Sequence, residues 1–187
     1  MGDPAERRAT YEDLLAAPAD LVAEILNGVL VTQPRPASLH ARASSRLGID
    51  LGGPFDRGKG GPGGWVILDE PELHLHGDVA VPDLAGWRRT RMPELPDATA
   101  FELAPDWVCE VLSPSTTAID RVEKMPIYAR EGVSHVWLVD PIAKTLEAFL
   151  LDTAARWVLL GTWRDDAKVR VDPFAAVELE LAALWAK

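Results

Sequence analysis

Trp107-Val108-Cys109-Glu110-Val111-Leu112 sets one carboxylate inside an otherwise apolar run, and the reading of that residue decides the fold. In a strand, side chains alternate faces, so Glu110 shares a face with Val108 and Leu112. A carboxylate with such neighbours loses water, and a buried charge is normally paired, protonated or bound to a metal. Ser113-Pro114-Ser115-Thr116-Thr117 follows, and its hydroxyls can cap a helix; Thr117 and Asp120 have capping-box spacing. A strand ending beside an acid and leading into a helix is half of a cation site.

The other half is Asp83, which follows Pro82 in an apolar stretch from Val79 to Trp87. Proline biases the preceding Val81 to extended backbone, so a strand can start here. Two carboxylates that meet across neighbouring strands, with the ammonium of Lys124 close by, make a place for a hard divalent cation and an attacking water. That order suggests metal-dependent phosphodiester hydrolysis. Each residue also has a plainer reading. Glu110 could sit in a salt bridge, Pro82-Asp83 is a common turn pair, and Lys124 lies four residues after Asp120, the spacing of an exposed helical ion pair.

Working outward, Thr10 with Asp13 predicts a capped first helix. Leu21–Leu26 and Val29–Thr32 flank Asn27-Gly28, a pair that tolerates positive φ and predicts a two-residue hairpin. Leu39, Ala43, Leu47 and Leu51 put an apolar stripe on a helix from Ala37 to Leu51. The segment from Gly52 to Gly64 should end that helix as a flexible connector. It has neither the ending of a phosphate-binding loop nor the spacing of a dinucleotide fingerprint. Further strands are expected over Trp65–Leu68, Val79–Trp87, Asp106–Leu112, His135–Asp140, Leu146–Leu151 and Trp157–Trp163. An exposed loop is expected from Met92 to Pro105 and a helix from Thr117 to Glu131. The last two strands form a hairpin turning near Asp152-Thr153-Ala154. No repeat or long polar linker divides the chain, so 1–187 reads as one α/β or α+β domain with a mixed sheet.

Composition narrows the class. With 187 residues, 48% hydrophobic and 26% charged, the chain can bury a sizeable core without staples. The single Cys109 excludes an intrachain disulfide and fits a reducing compartment. No stretch is long enough for a bilayer span and the start at Met1 lacks a signal-peptide core, so a cytoplasmic protein with no membrane partner is expected. The net charge of −10 argues against general nucleic-acid binding, which rests on clustered Lys and Arg. A metal site gathers carboxylates, however, and a bound cation offsets part of that charge. His74 and His76 could share a strand face, but no third soft ligand completes a transition-metal set.

The run Ala23-Glu24-Ile25-Leu26-Asn27-Gly28-Val29-Leu30, then Ser38-Leu39-His40, Val81-Pro82-Asp83, Glu110-Val111-Leu112-Ser113-Pro114-Ser115-Thr116, Lys124 with Tyr128, Gly132-Val133 and Trp137-Leu138-Val139-Asp140-Pro141 covers almost the whole chain. This ordered set resembles the Uma-two family, described as restriction endonucleases and assigned to the PD-(D/E)XK nuclease superfamily. The resemblance implies a restriction-endonuclease-like mixed sheet flanked by helices, with DNA rather than RNA as substrate. It implies Mg²⁺ or Mn²⁺ on Asp83 and Glu110, with the carbonyl of Val111 as a further ligand. Glu24 would bind the metal directly or through water, and Lys124 would orient the attacking water or steady the charge on the phosphate. His40 would contact a phosphate, act near the metal, or cap its helix.

Two departures stand out. The superfamily pattern expects a lysine where this chain has Leu112, so the ammonium must come from Lys124. Pro126 lies inside the expected helix, where a kink would re-aim that lysine. The alternative is a catalytically degenerate relative that serves as a dimerisation or binding module. The apolar hairpin late in the chain, bulky on both faces, predicts a homodimer with two sites for the two strands of a duplex.

Overall fold

The computed structural model describes residues 7–186, so the reading of the chain start at 1–6 lies outside the described residues. Helix α1 (Tyr11–Leu15) carries the expected capping box: Thr10 Oγ1 accepts from the Asp13 amide, and Asp13 Oδ2 accepts from the Thr10 amide at 2.7 Å. Asn27 and Gly28 have φ of 54° and 83° and join β1 (Leu21–Leu26) to β2 (Val29–Pro34) in register Leu26 to Val29. Two positive φ values are what a tight hairpin between right-twisted strands requires.

Helix α2 (Ser38–Leu51) buries Ala43, Leu47 and Leu51, but Leu39 is 42% exposed and His40 faces inward instead. Steps of four overshoot a helical turn by about 40° each, so the predicted stripe drifts off the buried face by its first residue. The helix does not end at Gly52. A π-helical turn, Gly52–Asp56, extends it and buries Phe55, 4.7 Å from the ring of Phe174. The Gly-rich connector therefore begins later than expected.

Strand β3 (Trp65–Asp69) is followed by β4 (Leu73–Leu75) and β5 (Asp78–Ala80). The strand expected over Val79–Trp87 is broken: β5 stops at Ala80, and β6 runs Leu84–Arg88. Pro82 cannot donate to a ladder. At this break the chain leaves a four-stranded sheet, order β2-β1-β5-β4, and enters a six-stranded one. The loop from Met92 to Pro105 is exposed in its middle but anchored by buried Met92 and Phe101. His74 lies on β4 while His76 sits in the following turn with φ 46°, so they share no strand face; they pair separately with Glu72 and Glu131.

Strand β7 (Trp107–Val111) is fully buried. After it come α3 (Thr117–Ile119), a π-helical turn (Asp120–Lys124) and α4 (Met125–Arg130). Thr117 does not form the predicted capping box; its hydroxyl donates to the Ser113 carbonyl at 2.7 Å, and Asp120 is buried instead. Pro126 falls in the first turn of α4, where a missing amide is tolerated, and the wide turn before it ends with Met125 donating to the Asp120 carbonyl. The helical run is thus unbroken from Thr117 to Arg130, and Lys124 stays turned toward Glu24 and Glu110.

Strands β8 (His135–Asp140), β9 (Thr145–Leu151) and β10 (Trp157–Arg164) complete the larger sheet, order β10-β9-β8-β7-β6-β3. β7 and β8 are parallel and the other neighbours antiparallel, which is the mixed sheet expected. The hairpin turns on Asp152, whose carboxylate accepts from the amides of Ala154 and Arg156. The segment beyond Arg164 contributes β11 (Lys168–Val169), β12 (Leu179–Glu180) and a 3₁₀ turn at Leu181–Leu184. It covers Leu146 and Ala148 of β9, so part of one apolar hairpin face is buried within the chain. Among the described residues, no helix is long and apolar enough to cross a membrane.

Candidate active site

Residues of β7 alternate between two cores. Cys109 and Val111 join Trp107, Trp137 and Phe174, while Val108 and Leu112 join Tyr128 of α4. Glu110 therefore faces α4. The register Leu84 to Cys109, extended by one residue, sets Asp83 level with Glu110, and opposed residues of an antiparallel pair project to the same side. Asp83 lies on the crossover between the sheets, and its Oδ2 accepts the Val111 amide at 2.7 Å. Its Oδ1 is 3.3 Å from Nε2 of His40, delivered by the first turn of α2.

Lys124 is the hub. Its Nζ lies 2.9 Å from Glu110 Oε1, 3.1 Å from Glu24 Oε1 and 3.8 Å from Asp120 Oδ1, and donates to the Val81 carbonyl at 3.3 Å. The Asp120 contact is the longest of the ion pairs and is buried, so the exposed helical pair is not what forms. Tyr128 donates to Glu110 Oε1 at 2.5 Å. Glu24 Oε1 also accepts the Val81 amide at 2.8 Å, tying β1 to the crossover. Glu24, Glu110, Asp120 and Lys124 are 1%, 2%, 3% and 2% exposed.

Glu24, His40, Asp83, Glu110, Val111 and Lys124, the six residues singled out from the sequence, all line one cavity of about 220 Å³. Asp120 and Gln33 also line it, and Tyr128 closes it from behind. The sequence reading treated Asp120 as a capping-box residue and an exposed ion-pair partner, and gave Tyr128 and Gln33 no role. The i,i+4 spacing of Asp120, Lys124 and Tyr128, which stacks them on one helical face, was the available signal for the first two. Gln33 carried none.

Burial pushes the Glu110 carboxyl well above its usual range; Lys124 pulls it back, while Asp120, Asp83 and Glu24 push the same way as burial. Burial likewise raises Asp120 to about 6 against the pull of Lys124 and Thr116. For Lys124 burial acts downward, but Glu110 and Glu24 outweigh it and hold the ammonium well above its ordinary value. His40 is lowered by burial and raised more by Asp83, Asp120 and the Val111 backbone, for a net upward shift. Four carboxylates, Glu24, Asp83, Glu110 and Asp120, thus line the cavity with two basic side chains, Lys124 and His40.

Among the described residues, no three His, Cys, Asp or Glu side chains are grouped so as to hold an ion by themselves. The oxygen-only donor set of Asp83, Glu110 and the Val111 carbonyl suits a hard ion that keeps several waters, as Mg²⁺ does.

The fold and site define a mixed α/β domain with a buried acidic cavity at the junction of two sheets. Residues 8–183 match the Uma2 family, described as "Putative restriction endonuclease", and the chain belongs to that family. It is also similar to a crystal structure from Anabaena variabilis, described as "a putative nuclease belonging to DUF820". The TM-score is 0.71 and the identity 21%, over 95% of this chain and 97% of the other. The two share a fold. No curated protein matches.

Proposed function

We propose that this chain is a divalent-metal-dependent endonuclease that hydrolyses phosphodiester bonds in DNA. The observation that carries the reading is the acid-rich lining of the cavity, in which Glu24, Glu110 and Asp120 contact the buried Lys124 and a fourth carboxylate, Asp83, pairs with His40. The family description supports it. Asp83, Glu110 and the Val111 carbonyl would hold Mg²⁺ or Mn²⁺, with Glu24 reaching it directly or through water. Such an ion lowers the pKa of a bound water and draws charge from the phosphoryl oxygens.

The chain's own residues do the rest. Lys124, held over Glu110 and Glu24, orients the attacking water and offsets charge that develops on the phosphate. His40, through Nε2, steadies the Asp83 carboxylate at 3.3 Å. Tyr128 fixes the Glu110 carboxylate by occupying Oε1. Because the ammonium is supplied from the helix, Leu112 in the superfamily's lysine position is no obstacle. The exposed apolar residues of β10 favour a homodimer, and the buried thiol of Cys109 fits a reducing, cytoplasmic setting.

Calorimetry with Mg²⁺ and Mn²⁺, alongside nicking of supercoiled plasmid by the wild type, Asp83→Asn and Glu110→Gln, tests this. Metal binding and nicking that both fall in the variants support it. A second reading, a degenerate binding module, is favoured by the net charge of −10; metal binding with cutting of neither plasmid nor single-stranded DNA would establish it.

A further inference from the structure

The groups assigned to catalysis lie at the closed end of their cavity. Glu24, Glu110, Asp120 and Lys124 are almost wholly buried, whereas the opening is framed by exposed Pro34-Arg35-Pro36 at the end of β2 and Pro114-Ser115 after β7. Proline fixes φ, so neither rim segment swings aside freely. At about 220 Å³ the cavity has room for a phosphodiester and parts of its flanking sugars, and its lining includes the apolar Val22, Val81 and the rim prolines.

Duplex DNA makes different demands. Its phosphates sit on the outside of a stiff cylinder, its bases are reached by an element inserted into a groove about 12 Å wide, and its affinity comes from clustered cations that release counterions. Here the site is concave. Of the residues lining it, Arg35 is the one cation at the opening, and its guanidinium already donates to the Ala19 carbonyl at 3.3 Å. A chain of net charge −10 gains little from the dense charge of a double helix.

We infer that the strand to be cut enters this cavity unpaired, so that the substrate is single-stranded DNA or an unpaired arm of a larger DNA, not an intact duplex. The inference rests on the nuclease reading above. A free strand can bend one phosphodiester inward past the prolines to the buried carboxylates, and its lower charge density is less strongly repelled. Ser113, Ser115 and Thr116 line the way in, with the Ser113 hydroxyl bonded to those of Ser115 and Thr116. Enzymes that work in closed pockets on paired DNA must first extrude the nucleotide, at the expense of pairing and stacking.

The test uses a 5′-labelled oligonucleotide as a single strand, the same strand annealed to its complement, and a fork with one unpaired arm, each with Mg²⁺ or Mn²⁺ and with Asp83→Asn as the inactive control. The expected result is a kcat/KM for the single strand at least about tenfold above the duplex, reflecting the penalty of opening pairs, with cuts in the fork confined to the unpaired arm. Equal or faster cutting of the blunt duplex would overturn the inference and leave the nuclease reading intact. Failure to cut any of the three with either metal would remove the nuclease reading and this inference with it.

Discussion

Lys124 Nζ lies 2.9 Å from Glu110 Oε1 and occupies, with its single positive charge, the side of that carboxylate that faces Glu24. The ammonium and a divalent cation therefore draw on the same negative charge. Replacing Lys124 by Met should raise Mn²⁺ affinity, by up to about tenfold, while lowering nicking by about 10²-fold or more, because the lysine acts on charge that develops during reaction. Removing one partner of a buried pair costs roughly 3–5 kcal/mol, so the metal-free variant should melt earlier than wild type and recover in part when Mn²⁺ is added. Calorimetric titration, plasmid nicking and thermal melts read the three effects; a variant that binds Mn²⁺ more weakly would contradict the shared-charge argument.

Tyr128 donates to the same Glu110 oxygen, at 2.5 Å from a fully buried position. Tyr128→Phe keeps the ring in its core and deletes the donor. A partner that orients a metal-binding carboxylate is typically worth about 10–100-fold in metal affinity or activity, and a hydrogen bond to a charged group contributes roughly 1.5–3 kcal/mol. The variant should fold, lose stability within that range, and bind Mn²⁺ more weakly. An unchanged calorimetric isotherm would deny Tyr128 any part in setting Glu110.

What was legible in the sequence is what local chemistry decides. Asn27-Gly28 specified its hairpin because it is one of the few pairs that accept two positive φ values readily. Strand alternation alone placed Glu110 on the face shared by Val108 and Leu112. The two π-helical turns were not legible, because the packing of Phe55 on Phe174 and the burial of Asp120 and Lys124 are long-range effects. The same holds for the break at Val81–Asp83, where one apolar stretch serves two sheets. Beyond Arg164, Val169, Val171, Phe174, Leu179, Leu181 and Leu184 are buried in neither a helical nor a strand period. Local propensity is silent about such a segment.

His135, at the start of β8, has an unpartnered, buried Nδ1, and burial lowers its pKa below the ordinary value, with Arg88 adding to the effect and Asp172 and Asp106 opposing it. A base with a depressed folded-state pKa is protonated first in the unfolded chain. Its contribution to stability is therefore present above the unfolded value, about 6.5, and is lost as pH falls through it toward the folded value. His135→Gln should flatten that part of the curve of urea midpoint against pH just below 6.5. A parallel curve displaced by a constant amount would show that His135 does not titrate on unfolding.

β10 is an edge strand of the larger sheet, and Val158, Leu159 and Leu160 on it are 46%, 51% and 40% exposed. Val158 stands opposite Leu150, itself 36% exposed, so an apolar cross-strand pair faces outward, while Leu159 stands opposite Phe149 on the other side. Natural sheet edges are usually guarded by charge, proline or a bulge. Here the register shift between Leu159 and Gly161 is the guard present, and no charge interrupts the apolar run. The bulge works against simple strand-to-strand extension, so a second copy would bury the patch chiefly through side chains. Light scattering at micromolar concentration should return twice 20.4 kDa, with little change as salt is raised, because the contact is apolar. Val158→Lys and Leu159→Lys, both at exposed positions, should give folded monomers with unchanged Mn²⁺ binding. A wild-type mass of 20.4 kDa under these conditions would rule out the homodimer.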